Sequence, residues 1–104
     1  MEEVILNLMA HSGEAKSYAM EAINASKNNR FEKAEYLLQK ANEELAYAQL
    51  SQSTLMQNEK NDSSLKISLL SVQAQDQLMT SMFLIDVAKE LISLYLKINW
   101  NYEL

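Results

Sequence analysis

The near absence of chain-breaking residues is the strongest constraint on how this sequence can fold. Its 104 residues contain no proline and a single glycine, Gly13. Hairpins and multi-stranded sheets need such residues at their turns, whereas long helices exclude them. The chain is 48% hydrophobic, which is enough to bury a core. We therefore predict one all-α domain over residues 1–104.

Charge and residue usage argue against several functional classes. The formal net charge is −5 and the pI is near 4.8, so no basic stripe is available to neutralise nucleic-acid phosphates. The chain has no cysteine, which excludes disulfides and thiol chemistry and is consistent with a cytoplasmic protein. No basic segment precedes an apolar run at the N-terminus, so we expect no signal peptide.

Two amphipathic helices are predicted in the first half of the chain. The first spans about residues 2–27, and its apolar face contains Val4, Leu8, His11, Ala15, Tyr18 and Ala22. The second spans about residues 30–58, and its stripe contains Phe31, Ala34, Leu38, Ala41, Leu45, Ala48, Gln52 and Leu55. Asn29 and Glu32 have the spacing of a capping box. Gly13, within the first helix, marks either a close helix contact or an open surface.

A third helix is predicted over about residues 65–100, and it carries two stripes. The first contains Leu70, Gln73, Gln77, Thr80, Leu84, Val87, Leu91, Leu94 and Ile98. The second contains Leu65, Leu69, Val72, Asp76, Met79 and Phe83. A three-helix monomer would bury only one side of this helix, so two stripes predict self-association through it. Interrupting charges argue against a membrane span.

Several segments, in order along the chain, resemble the motifs of one protein family. They are HSGEAKS from His11, FEKA from Phe31 with ANEEL from Ala41, AQLSQSTLMQ from Ala48, and VQAQDQLMTSM from Val72. The last is similar to VHAQDHLMTSM, the signature of the lactose/cellobiose-type enzyme IIA of the bacterial sugar phosphotransferase system. The resemblance implies an up-down-up antiparallel three-helix bundle that assembles as a homotrimer of nine helices.

The same resemblance implies that the family's phosphoryl-accepting histidine is absent. Gln73 stands at its position, Gln77 stands at the second signature histidine, and Gln49 stands where many members have a further histidine. An amide nitrogen shares its lone pair with the carbonyl and is not a nucleophile, so no catalytic residue is assigned. With Met79 and Met82, these glutamines form a candidate surface for the histidine phosphocarrier protein and for enzyme IIB/IIC. The alternative is that the two methionines fill gaps in the core.

Asp76 interrupts the second stripe of the third helix. At a threefold axis three copies of this carboxylate would converge, and they would need protons, hydrogen-bond donors or a cation. The resemblance implies a metal site there, and oxygen ligands suit Mg²⁺ or another divalent cation. The structural alternative is that Gln73, Asp76, Gln77 and Thr80 bond to one another and define the register of the helix.

Three functional hypotheses follow. In the first, the chain is a phosphotransfer-silent homologue that acts by binding or regulation. In the second, it is a working phosphocarrier in β-glucoside, lactose or cellobiose uptake. In the third, it is a drifted or engineered protein without function. The second hypothesis needs another acceptor, and His11 is the single histidine of the chain. The competing interpretation of His11 is a core or interface residue of the first helix. Departures from the family at many positions favour natural divergence over design.

Overall fold

Three helices make up the part of the chain that the computed structural model describes, residues 2–61 and 69–103. They are α1 (Glu2–Lys27), α2 (Phe31–Asn61) and α3 (Leu69–Glu103). They pack as an up-down-up antiparallel bundle of 64 × 16 × 16 Å, which confirms the predicted fold class. Among these residues, no helix is both long enough and apolar enough to cross a membrane.

The predicted helix boundaries agree for α1 and differ for the other two helices. α2 continues to Asn61, so residues 59–61 are helical and not part of a connection. One reason is a contact with α3, since the Ser71 hydroxyl donates a hydrogen bond to Glu59 Oε1 at 3.1 Å. The predicted start of the third helix at Leu65 lies outside the described residues. α3 continues beyond its predicted end, to Glu103.

The turn between α1 and α2 is built around Asn29, and the predicted capping box is wrong. Asn29 has a φ of 64°, in the left-handed region, whereas an N-cap residue has an extended backbone. The Arg30 N–H donates to the carbonyl of Ala25 at 2.8 Å, and the Asn29 N–H donates to that of Ser26 at 3.0 Å. This pair of bonds is the Schellman motif that ends helices. Asn29 therefore closes α1.

The core consists of three layers stacked along the bundle. The upper layer, near the start of α1, contains Ile5, Leu8, Ala48, Leu55, Ala74 and Leu78. The middle layer contains Ala15, Ala19, Ala41, Ile85 and Ala88. The lower layer, near the α1–α2 turn, contains Ala22, Ala25, Ala34, Leu37 and Ile92. Because alanine dominates, the helix axes can approach closely.

The buried face of α1 is wider than its predicted stripe. Leu8, Ala15 and Ala22 are buried as predicted, but the structure also buries Ile5, Ser12, Ala19, Ala25 and Ser26. The reason is that α1 packs against both other helices, so its contact arc includes small polar residues. In the predicted stripe of α2, Ala34, Ala41, Ala48 and Leu55 are buried, and the other members are half-buried. Leu37, which the stripe did not include, is buried as well.

The side of α3 that faces the bundle lies outside both predicted stripes. Its buried residues are Ser71, Ala74, Leu78, Ser81, Ile85, Ala88 and Ile92. Ser81 Oγ contacts the backbone carbonyl of Ser12 at 2.7 Å, which joins α3 to α1. The described residues of the two predicted stripes are half-buried or exposed instead. α3 therefore has an apolar side that the bundle of one chain does not cover.

Candidate functional site

Gln73 and Gln77 lie one turn apart on α3 and differ in exposure. Gln73 is exposed and Gln77 is half-buried. The backbone carbonyl of Gln77 accepts a hydrogen bond from Ser81 Oγ at 2.8 Å. Across the described residues, no hydrogen bond joins the two glutamine side chains, so the predicted mutual pairing is not found. The Gln73 amide is therefore presented at the surface of the chain.

Asp76 lies on the exposed side of α3, in the stripe that contains Val72 and Phe83. Thr80 Oγ1 donates to the backbone carbonyl of Asp76 at 2.9 Å, so the predicted contact between the two side chains is a bond to the main chain instead. Among residues 2–61 and 69–103, no group of three or more His, Cys, Asp or Glu side chains could hold a metal ion. A metal at Asp76 would therefore require carboxylates from further copies of the chain.

The predicted partner surface is accessible. Met79 is 65% exposed, and Met82 and Gln49 are exposed as well. Within one subunit, neither methionine fills a gap in the core. Exposed thioether side chains adapt to the shape of a partner, so this part of α3 has the character of a contact surface.

A pair of glutamines that the sequence patterns did not bring together joins α2 to α3 beside this surface. The Gln52 Nε2 donates to Gln75 Oε1 at 2.7 Å, and the contact is partly buried. Gln49 precedes Gln52 by one turn, and Met79 follows Gln75 by one turn. The hydrogen bond therefore brings the candidate positions on the two helices to the same level of the bundle.

His11 lies at the interface between α1 and α2, with two neighbours on α2. Its Nδ1 is 2.6 Å from Glu44 Oε2, and the two side chains are 35% and 24% exposed. The Tyr47 ring packs against the imidazole, with 5.3 Å between ring centroids. Because a carboxylate only accepts, Nδ1 carries the proton of this bond, and the lone pair of a neutral ring is then on Nε2. This orientation leaves a nitrogen suited to nucleophilic attack.

A second charged pair lies on the outer face of α2. Lys40 Nζ is 3.5 Å from Glu43 Oε2 and 5.6 Å from the centre of the Tyr36 ring. The carboxylate of Glu43, together with Tyr36, raises the pKa of Lys40. As an exposed pair, it contributes little to stability. It does not involve His11, whose ion-pair partner in the described structure is Glu44.

Comparison with known proteins agrees with the motifs. The family model for the lactose/cellobiose-specific IIA subunit of the phosphotransferase system matches residues 3–96. The chain is 45% identical over 98 residues to the lichenan-specific phosphotransferase enzyme IIA component of Bacillus subtilis, covering 94% of this chain and 89% of that protein. It is 36% identical over 98 residues to the N,N'-diacetylchitobiose-specific EIIA component of Escherichia coli K12, covering 94% and 84%.

Solved structures match the fold over nearly its full length. The cellobiose-specific enzyme IIA of Bacillus anthracis superimposes with a TM-score of 0.88 at 35% identity, covering 94% of this chain and 90% of that one. The IIA(chitobiose) of Escherichia coli, solved in complex with HPr, gives a TM-score of 0.82 at 34% identity, covering 94% and 95%. With the motifs, the bundle and these matches in agreement, the chain belongs to the lactose/cellobiose-specific IIA family of the sugar phosphotransferase system.

Proposed function

We propose that this chain is a phosphotransfer-silent member of its family, which acts in the cytoplasm by binding and regulation. The observation that carries the proposal is Gln73, the residue at the signature position of the phosphoryl-accepting histidine. A relay needs a nitrogen lone pair that attacks phosphorus and later releases the group. The Gln73 amide lacks one, yet it can preserve hydrogen bonding at an intact surface.

The proposed partner is the histidine phosphocarrier protein, with enzyme IIB/IIC as further candidates. A family relative at 34% identity has been solved in complex with HPr. In this chain the side chains of Gln73, Met79, Met82 and Gln49 are exposed. A silent homologue with this surface would occupy the phosphocarrier without accepting its phosphoryl group, and would thereby compete with active relatives.

We further propose that three copies of the chain assemble through α3. The exposed apolar side of this helix takes Leu69, Val72 and Phe83 from the second predicted stripe and Leu94 and Ile98 from the first. Asp76 and Glu90 interrupt it, but an exposed apolar surface of this extent is typical of an interface. In a trimer with α3 at the axis, three Asp76 carboxylates would supply oxygen ligands alone, which suit Mg²⁺ or another hard divalent cation, or they would share protons.

A second candidate function is a phosphoryl relay through His11. It is supported by the 2.6 Å contact between Glu44 and Nδ1, which orients the ring with Nε2 as the nucleophile. In this reaction, the bond between phosphorus and the phosphocarrier's histidine nitrogen breaks as a bond to His11 Nε2 forms. The Nδ1 proton stays in the hydrogen bond to Glu44, which stabilises the charge on the ring.

Intact mass after incubation with phosphoenolpyruvate, enzyme I and the histidine phosphocarrier protein, without acid, decides between the two functions. We expect no phosphoryl adduct on the parent chain, while the lichenan-specific relative labels normally as the control. Gln73→His should gain an adduct, because the surrounding surface is intact. An adduct on the parent chain that His11→Ala removes would overturn the silent assignment in favour of the His11 relay.

A further inference from the structure

A cavity of about 270 Å³ lies between the end of α1 and the start of α2. The residues that line it include Glu21, Asn24 and Asn28 on the α1 side and Arg30, Lys33 and Leu37 on the α2 side. Leu37 belongs to the lower core layer. Gln73 adjoins Ala74 of the upper layer. The cavity is therefore at the opposite end of the bundle from the surface around Gln73.

Two positive charges on this cavity have no opposing charge in direct contact. Within the described residues, neither Arg30 nor Lys33 has a carboxylate oxygen within ion-pair distance. The lining of the cavity also includes the Glu21 carboxylate, so two positive charges and one negative charge leave it with a net charge of +1, in a chain whose net charge is −5. A guanidinium presents several donors in one plane and matches the oxygens of a phosphate, and an ammonium adds a second point charge.

Three backbone carbonyls at this end of α1 accept hydrogen bonds from the residues of the turn. The Asn24 carbonyl accepts from the backbone and side-chain nitrogens of Asn28, at 3.2 and 2.9 Å. The Ala25 carbonyl accepts from Arg30 N at 2.8 Å, and the Ser26 carbonyl accepts from Asn29 N at 3.0 Å. Among the described residues, neither the Arg30 nor the Lys33 side chain donates a hydrogen bond to these carbonyls.

We propose that this cavity binds a phosphate monoester that carries hydroxyl groups, the chemical class of a sugar phosphate. Arg30 and Lys33 would bind the phosphate. Glu21 and Asn24 would bond to the hydroxyls, since a carboxylate accepts and an amide both donates and accepts. The apolar wall at Leu37 suits the C–H face of a sugar ring. The site does not rest on the function proposed for Gln73.

The test is a titration of the ¹⁵N-labelled chain with glucose 6-phosphate, followed by amide chemical shifts. Glucose and inorganic phosphate serve as separate probes. We expect saturable shifts confined to the α1–α2 turn, with a Kd in the millimolar range or below and weaker binding of both partial probes. Arg30→Gln/Lys33→Gln should weaken binding by about tenfold or more, because it removes both charge-assisted contacts.

The matched control is Lys60→Gln/Lys89→Gln, which removes two exposed positive charges elsewhere. It should leave binding unchanged. An equal loss in the control would mean that only overall charge is sensed, and equal affinity for inorganic phosphate would mean that the sugar is not recognised. Either result, or the absence of localised shifts with the parent chain, would overturn the proposal. Because this readout is independent of phosphoryl transfer, it can fail while the Gln73 assignment stands.

Discussion

At the scale of single residues, Gly13 lies in the middle of α1 with helical neighbours on both sides. A methyl group added at this position would have no atom within 4 Å apart from its chain neighbours and the backbone of its own helix, and the φ of Gly13 is not positive. Of the two interpretations that the sequence allowed, the open surface is therefore the one found. The residue accordingly lacks a conformational or packing reason to be glycine within the subunit.

We expect Gly13→Ala to raise the free energy of unfolding by about 1 kcal/mol, because alanine loses less backbone entropy in a helix. Urea unfolding followed by circular dichroism measures the change. Ala10→Gly, at an exposed position on the same helix, should lower stability by a similar amount. If Gly13→Ala lowers stability instead, this would indicate that another molecule packs against α1 at this position and has no room for a side chain.

Pairings between residues of different helices show where sequence reasoning ends. The proposed loss of phosphoryl transfer at Gln73 could be inferred from its residue type and from the motif around it. The contacts between His11 and Glu44 and between Gln52 and Gln75 are not, because they depend on the axial offset between two helices. Periodicity identifies a face on each helix but contains no information on that offset.

At the scale of elements, α3 combines a small-residue side that packs on its own subunit with an apolar side that is left open. The sequence stripes identified the open side because leucine, methionine and phenylalanine dominate it. The predicted stripes did not include the packed side, because Ser71, Ala74, Ser81 and Ala88 are small and do not form an apolar pattern, although they allow close helix contact. The three-helix architecture and much of the buried face of α2 were predictable, because the buried face of α2 includes apolar residues such as Leu55.

Asp76 is a charged residue within the apolar stretch of α3 between Val72 and Phe83, so it tests how the open side of this helix is used. We expect Asp76→Leu to raise the thermal unfolding midpoint of the proposed trimer in metal-free buffer, because three converging carboxylates are removed. Asp86→Leu, an exposed aspartate on the same helix, is the control and should change little.

Adding Mg²⁺ separates the two forms of the Asp76 proposal. If the carboxylates hold a cation, the parent chain should gain stability with Mg²⁺, and Asp76→Leu should not. If they share protons, neither protein should respond. A metal-free trimer that becomes weaker on replacement by leucine would contradict the expected repulsion.

At the scale of the whole molecule, the proposed trimer depends on burying side chains such as Phe83, which is 70% exposed in the single chain. We expect Phe83→Glu to convert the assembly into monomers, since it replaces about 1.5–3 kcal/mol of apolar burial per subunit with a buried charge. Light scattering measures the mass directly. Leu50→Glu, at a position on α2 that is 67% exposed, is the control and should stay trimeric. If the unsubstituted chain is itself monomeric, the proposal of a trimer is wrong.

The length of the bundle also affects how such an assembly moves through solution. One subunit is four times as long as it is wide, so it meets high friction for its mass. Three rods joined side by side triple the mass without adding length, and the resulting particle is more nearly isometric. Its diffusion coefficient would fall by less than the threefold change in mass suggests. In size-exclusion chromatography, the single subunit and the trimer would therefore elute closer together than their masses imply.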